Sequence, residues 1–93
     1  MTEKTFKSGD VVGFAFGQPG NDTTYIVLTA VRANDADGWD LFFDMKLTKL
    51  KLSKLWLATE RELDILGVFA TGTPATSVRK LAEEVRQRCG VGI

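Results

Sequence analysis

The sequence predicts an α+β domain: a small, twisted antiparallel sheet of four to five strands, a short helix, and a C-terminal amphipathic helix. Three stretches carry that prediction. Residues 24–31 (Thr-Tyr-Ile-Val-Leu-Thr-Ala-Val) concentrate β-branched and aromatic side chains, which suit a pleated surface better than a helix. Thr59-Glu60-Arg61-Glu62 is a capping-box pattern, in which threonine bonds the amide three residues on and the glutamate reaches back. Val78, Leu81, Ala82, Val85 and Cys89 recur at helical spacing and draw one apolar stripe.

Taken in order, Phe6-Lys7-Ser8-Gly9-Asp10 reads as a turn into a first strand, 11–16. Val12, Phe14 and Phe16 put bulk on one side of it. Val11, Gly13 and Ala15 leave the other side small, and a glycine inside a strand often marks close approach of another element. The run Lys-x-Gly-Asp-Val-Val from Lys7 resembles the first strand of small SH3-like barrels, and that resemblance implies a strongly curled sheet. Gly17-Gln18-Pro19-Gly20-Asn21-Asp22 is a loop signature.

In the second strand, Tyr25, Val27, Thr29 and Val31 share one side and Ile26, Leu28 and Ala30 the other. Both sides are largely apolar, so this strand belongs in the middle of the sheet. Residues 32–38 supply Asn34, Asp35, Asp37 and Gly38, all turn formers, and predict a wide hairpin loop with Gly38 in the left-handed region. A third strand over 39–45 then presents Trp39, Leu41, Phe43 and Met45 to the core, with Asp40, Phe42 and Asp44 facing away. A three-strand meander results.

Residues 46–57 alternate lysine and leucine. Leu50 and Leu52 share a parity that Leu55 and Leu57 reverse, so one flat strand would send leucines to both faces. An inserted residue reverses the alternation. The expectation is a strand over 48–52, a bend near Ser53-Lys54, and a short strand over 54–57. Lys46, Lys49, Lys51 and Lys54 occur there without an intervening acid. They read either as an edge-strand face, where lysine discourages sheet-to-sheet aggregation, or as phosphate contacts for nucleic acid.

The helix opening at Thr59 runs about two turns, through Leu63 and Leu66, to a stop at Gly67. Val68-Phe69-Ala70 bridges to the linker-like Thr71-Gly72-Thr73-Pro74-Ala75-Thr76. The last helix starts behind Thr73, Thr76 or Ser77 and ends at Gly90. A sheet with two apolar faces needs a cover, so its stripe is expected to pack on the same chain, with Cys89 as a small buried hydrophobe.

The 93 residues fit one domain, 1–93, with residues 1–5 and 91–93 frayed. Twelve basic and twelve acidic residues balance, which removes a general electrostatic case for polyanion binding. The single cysteine excludes an internal disulfide framework and suits a reducing compartment. No stretch has the apolar length of a signal peptide or a span, and the expected location is the cytoplasm. The sequence lacks histidine, which removes the usual general base and the commonest neutral metal ligand. Asp35, Asp37, Asp40 and Asp44 fail the calcium-loop pattern because Ala33 stands where the first carboxylate belongs. No glycine-rich phosphate motif is present. No cofactor is expected, and no catalysis.

By elimination the sequence points to a protein–protein interaction, assembly or regulatory module that binds another protein or itself, such as an adaptor or a homodimer. Phe6, Phe42, Trp56 and Phe69 are its candidate contacts, because two-sided burial is hardest for them in so small a domain. The alternative is a nucleic-acid accessory protein using Lys46, Lys49, Lys51 and Lys54.

Overall fold

The computed structural model describes residues 5–16, 22–67 and 76–91. Phe69, the bridge around it, most of the following linker and the loop 17–21 lie outside those residues. The fold is α+β, with a five-stranded antiparallel sheet and two helices, one of them C-terminal. The strands are β1 (Val11–Phe16), β2 (Asp22–Val31), β3 (Asp35–Asp40), β4 (Met45–Lys51) and β5 (Leu55–Leu57), in the order β4-β3-β2-β1-β5. A 3-10 turn, Leu52–Lys54, joins β4 to β5. Then follow α1 (Glu60–Leu63), the two-residue strands β6 (Leu66–Gly67) and β7 (Thr76–Ser77), which pair with each other, and α2 (Val78–Cys89).

That short turn dictates the shape of the sheet. Five flat strands place their outer edges about 19 Å apart at the usual strand spacing. Four residues of chain, Lys51 to Leu55, reach about 14 Å at most. β4 and β5 occupy opposite edges, so the sheet has to curl until its edges approach. The core confirms it: Leu50 of β4 and Leu55 of β5 belong to one cluster with Phe6, Val12, Ile26, Leu28 and Ala36. The curl that the Lys7–Val12 segment implies is therefore present. Two bulges bend the strands further, with Thr29 extra in β2 opposite β3 and one residue extra at Thr48–Lys49 in β4. The second bulge lets Leu47 and Leu50, three apart, both pack inward.

The convex face carries Val11, Tyr25, Val27 and Leu41, covered by Val78, Ala82 and Val85 of α2. The C-terminal helix thus covers its own sheet, as expected. Ser77 caps it by accepting the Lys80 amide at 3.2 Å. Gly90 ends it at a φ of 70°, where a side chain would be strained. Val91 then donates to the Arg86 carbonyl at 3.1 Å and packs on the outer cluster, the closing contact of a Schellman cap. Val91 rather than Cys89 fills that end, and Cys89 is exposed, against the sequence expectation.

The hairpin lies elsewhere than predicted. Its first loop is only Arg32–Asn34, because β3 begins at Asp35. Gly38 is no turn residue: it is buried in β3, where a Cβ would stand 2.4 Å from Ile26 Cγ2 and 2.7 Å from the Val27 carbonyl. The expected strand 39–45 breaks at residues 41–44. Asp40, 3% exposed, causes the break. Its Oδ1 accepts the Thr24 hydroxyl at 2.6 Å and the Phe42 and Phe43 amides at 2.8 and 3.1 Å. A side chain that binds the backbone two and three residues on makes a turn, and the apolar alternation beyond it only imitated a strand. α1 is likewise one turn long instead of two, since the chain leaves it at Asp64 to pair Leu66 with Ser77.

Candidate functional site

β5 is the edge strand next to β1, pairing Leu57 with Val12, Trp56 with Gly13 and Leu55 with Phe14. Leu55 goes inward and is fully buried, Trp56 lies half-buried over the opposite side, and Leu57 is 52% exposed. Gly13 makes room for the indole. A Cβ there would stand 2.3 Å from Trp56 Cε2 and 2.5 Å from Nε1, far inside the ~3.5–4.0 Å of a normal contact. The close approach that a glycine in β1 suggested is that of Trp56.

The indole is fixed from its other side by α1. Trp56 Nε1 donates to Glu62 Oε2 at 3.0 Å, and the Tyr25 hydroxyl donates to the same oxygen at 2.8 Å. Glu62 Oε1 accepts the Thr59 amide at 3.0 Å while Thr59 Oγ1 accepts the Glu62 amide at 3.2 Å, so the predicted capping box is formed. One carboxylate therefore ties β2, β5 and the start of α1. Burial pushes the Glu62 pKa up, but the bonds from the Thr59 backbone, Trp56 and Tyr25 outweigh it and hold the group below its ordinary value. Burial first, then the Glu62 hydrogen bond and charge, raise the Tyr25 phenol. Neither group exchanges a proton near neutrality, and the arrangement acts as a clamp.

Beside the clamp, Thr5, Phe6, Trp56 and Leu57 line a groove of about 160 Å³. Small-molecule sites usually enclose ~300–1,000 Å³, so this one has room for one or two side chains of a partner. It unites two of the four predicted contact residues. Phe6 is 8% exposed and belongs to the inner core, giving the groove a fixed wall; Trp56 supplies the other. Phe42 does not line it. It is half-buried on the convex face, edge-on to Tyr25 with centroids 5.6 Å apart. Phe69 is outside the described residues. Leu57 was not singled out in the sequence, although its parity opposite to Trp56 was the available signal.

The acidic run separates into unrelated partnerships. Asp35 and Asp37 bind Arg32, Asp40 organises its turn, and Asp44 accepts Trp39 Nε1 at 2.9 Å and lies 3.6 Å from Arg88. Among the described residues no group of three His, Cys, Asp or Glu side chains could hold a metal ion. None of the described helices is long and apolar enough to cross a membrane. The four lysines are exposed, with Lys46, Lys49 and Lys51 along edge strand β4 and Lys54 in the turn after it. No protein-family model matches the chain, and no curated protein or solved structure matches it either.

Proposed function

We propose that this domain is a non-catalytic protein–protein interaction module whose contact site is the groove walled by Phe6 and Trp56 and rimmed by Leu57. The observation that carries the reading is the half-exposed Leu57 next to an indole held rigid by Gly13 and Glu62. Interfaces draw most of their energy from a few buried aromatic or arginine anchors surrounded by contacts that exclude water, and an anchor that is already fixed lowers the ordering cost of binding. The size of the groove suits a side chain better than a substrate. The partner is a foreign protein or a second copy, which light scattering over a range of concentrations distinguishes.

Affinity capture from the native source tests the site, with wild type and Leu57→Asp run in parallel. Position 57 is exposed enough for aspartate to leave the fold intact, which circular dichroism checks. The proposal requires a protein retained by wild type and lost from the variant, or a self-association that the variant abolishes. An identical set of retained proteins and an identical mass for the two would overturn it.

A further inference from the structure

The densest uncommitted positive charge among the described residues lies along one edge. Lys7, Arg61 and Lys80 are also exposed without an ion pair, but they are scattered over the N-terminal segment, α1 and α2. Four arginines have partners within the domain: Arg32 binds Asp35 and Asp37, and Arg79 binds Glu60 and Asp64. Arg86 Nε donates to the Gly9 carbonyl at 2.7 Å, while Arg88 lies 4.9 Å over the Trp39 ring and close to Asp44. Lys46, Lys49, Lys51 and Lys54 differ. They are exposed, and among the described residues none forms an ion pair. Arg32 holds both Asp35 and Asp37 on the neighbouring strand. The one negative charge left over, part of which Asp37 directs at Lys46, offsets only a fraction of the four lysines. Just ahead of the lysines, Phe43 and Met45 are each 50% exposed.

We propose that the β4 edge docks an extended acidic segment of another protein, its carboxylates on the lysines and an apolar side chain on Phe43 and Met45. The surface shares no side chain with the groove, whose lining is Thr5, Phe6, Trp56 and Leu57, although Lys54 leads directly into β5. Lys46 to Lys51 spans about 16 Å of strand, the reach of five or six extended residues. The bulge at Thr48–Lys49, with Lys49 at a φ of 55°, interrupts continuous backbone pairing, so recognition runs through side chains and weakens with salt. Edge protection also places lysine on an outer strand. It accounts for neither Lys54, which lies off the strand, nor two half-exposed apolar side chains beside them. Nucleic acid is the poorer occupant. The chain has zero formal charge and so no long-range pull on a polyanion.

Fluorescence anisotropy with a labelled peptide of about twelve residues, repeating Glu-Leu-Glu-Ser, tests the proposal beside a labelled oligothymidylate. Wild type binds the peptide saturably at low salt and more tightly than the oligonucleotide. Lys46→Glu, Lys51→Glu and Lys54→Glu together weaken it roughly tenfold to a hundredfold; Lys49 is left in place because of its backbone conformation. The corresponding triple glutamine variant gives an intermediate loss, a second reading should the charge reversal perturb the fold. Leu57→Asp leaves peptide binding unchanged, which separates this edge from the groove. Absence of peptide binding, equal binding by the triple variants, or tighter binding of the oligonucleotide would each overturn it.

Discussion

Replacing Gly13 by alanine drives a methyl group into the Trp56 indole. The new Cβ would stand 2.3 Å from Cε2, more than 1 Å inside van der Waals contact, against a ring whose far side is tied to Glu62. Overpacking of this kind costs about 1–3 kcal/mol. Displacing the indole also breaks a hydrogen bond to a charged acceptor, worth about 1.5–3 kcal/mol. Alanine in a strand returns roughly 0.5–1 kcal/mol relative to glycine. The net loss is therefore about 1.5–5.5 kcal/mol, or a melting temperature lower by about 8–28 °C for a domain of this size. Urea denaturation followed by far-ultraviolet circular dichroism measures it, since that signal survives loss of the tryptophan. The decisive measurement is a double-mutant cycle with Trp56→Ala. With the indole gone, Gly13→Ala should be neutral or slightly stabilising, a coupling of about 2 kcal/mol or more. Two penalties that simply add, within about 0.5 kcal/mol, would show that Gly13 does not exist to seat the indole.

The Glu62 clamp predicts a pH dependence of known sign. Its carboxyl titrates lower in the folded protein than the ordinary 4.5, so its contribution is complete above that value and fades as pH falls below it. Asp37, held at about 2 against 3.8 chiefly by Arg32 and then by the Lys49 amide, adds a loss between those two values. Urea midpoints should fall from about pH 5 downward, and Glu62→Gln should cost about 1–2 kcal/mol at neutrality and flatten the upper part of that fall; an unchanged slope would refute the clamp. Asp40→Ala should cost about 2–4 kcal/mol, with part recovered by adding Thr24→Val, because the buried hydroxyl then no longer lacks its acceptor. No recovery would mean that the Thr24–Asp40 bond contributes little.

Much of the local structure was legible in residue order. The two-faced apolar strand around Val27, the Thr59–Glu62 box, the Val78–Val85 stripe and the Gly90 stop each depend on neighbours within a turn or a strand pair. Their physics is present in any short window. The bend at Ser53-Lys54 was legible as well, because leucine parity cannot reverse without one. Gly38 and Asp40 are misplaced in opposite senses. In a short window Gly38 reads as a turn former and Asp40 as an outward-facing strand residue, and only the packed sheet shows that Gly38 sits in β3 against Ile26 while Asp40 turns the chain from a buried position.

The candidate site divides along the same line. Phe6 and Trp56 stood out by residue type, and the four lysines by spacing. Their grouping did not, because residues 5, 13, 25, 56 and 62 meet only when β5 crosses to the side of β1 and the sheet curls. The sequence alone determined which segments pair with helical or strand periodicity, since those preferences are local. Tertiary structure alone decided which aromatic side chain became core, which became groove wall, and which cations found partners. Those outcomes depend on the three-residue turn after Lys51 pulling opposite edges together, a constraint of chain length acting on the whole sheet.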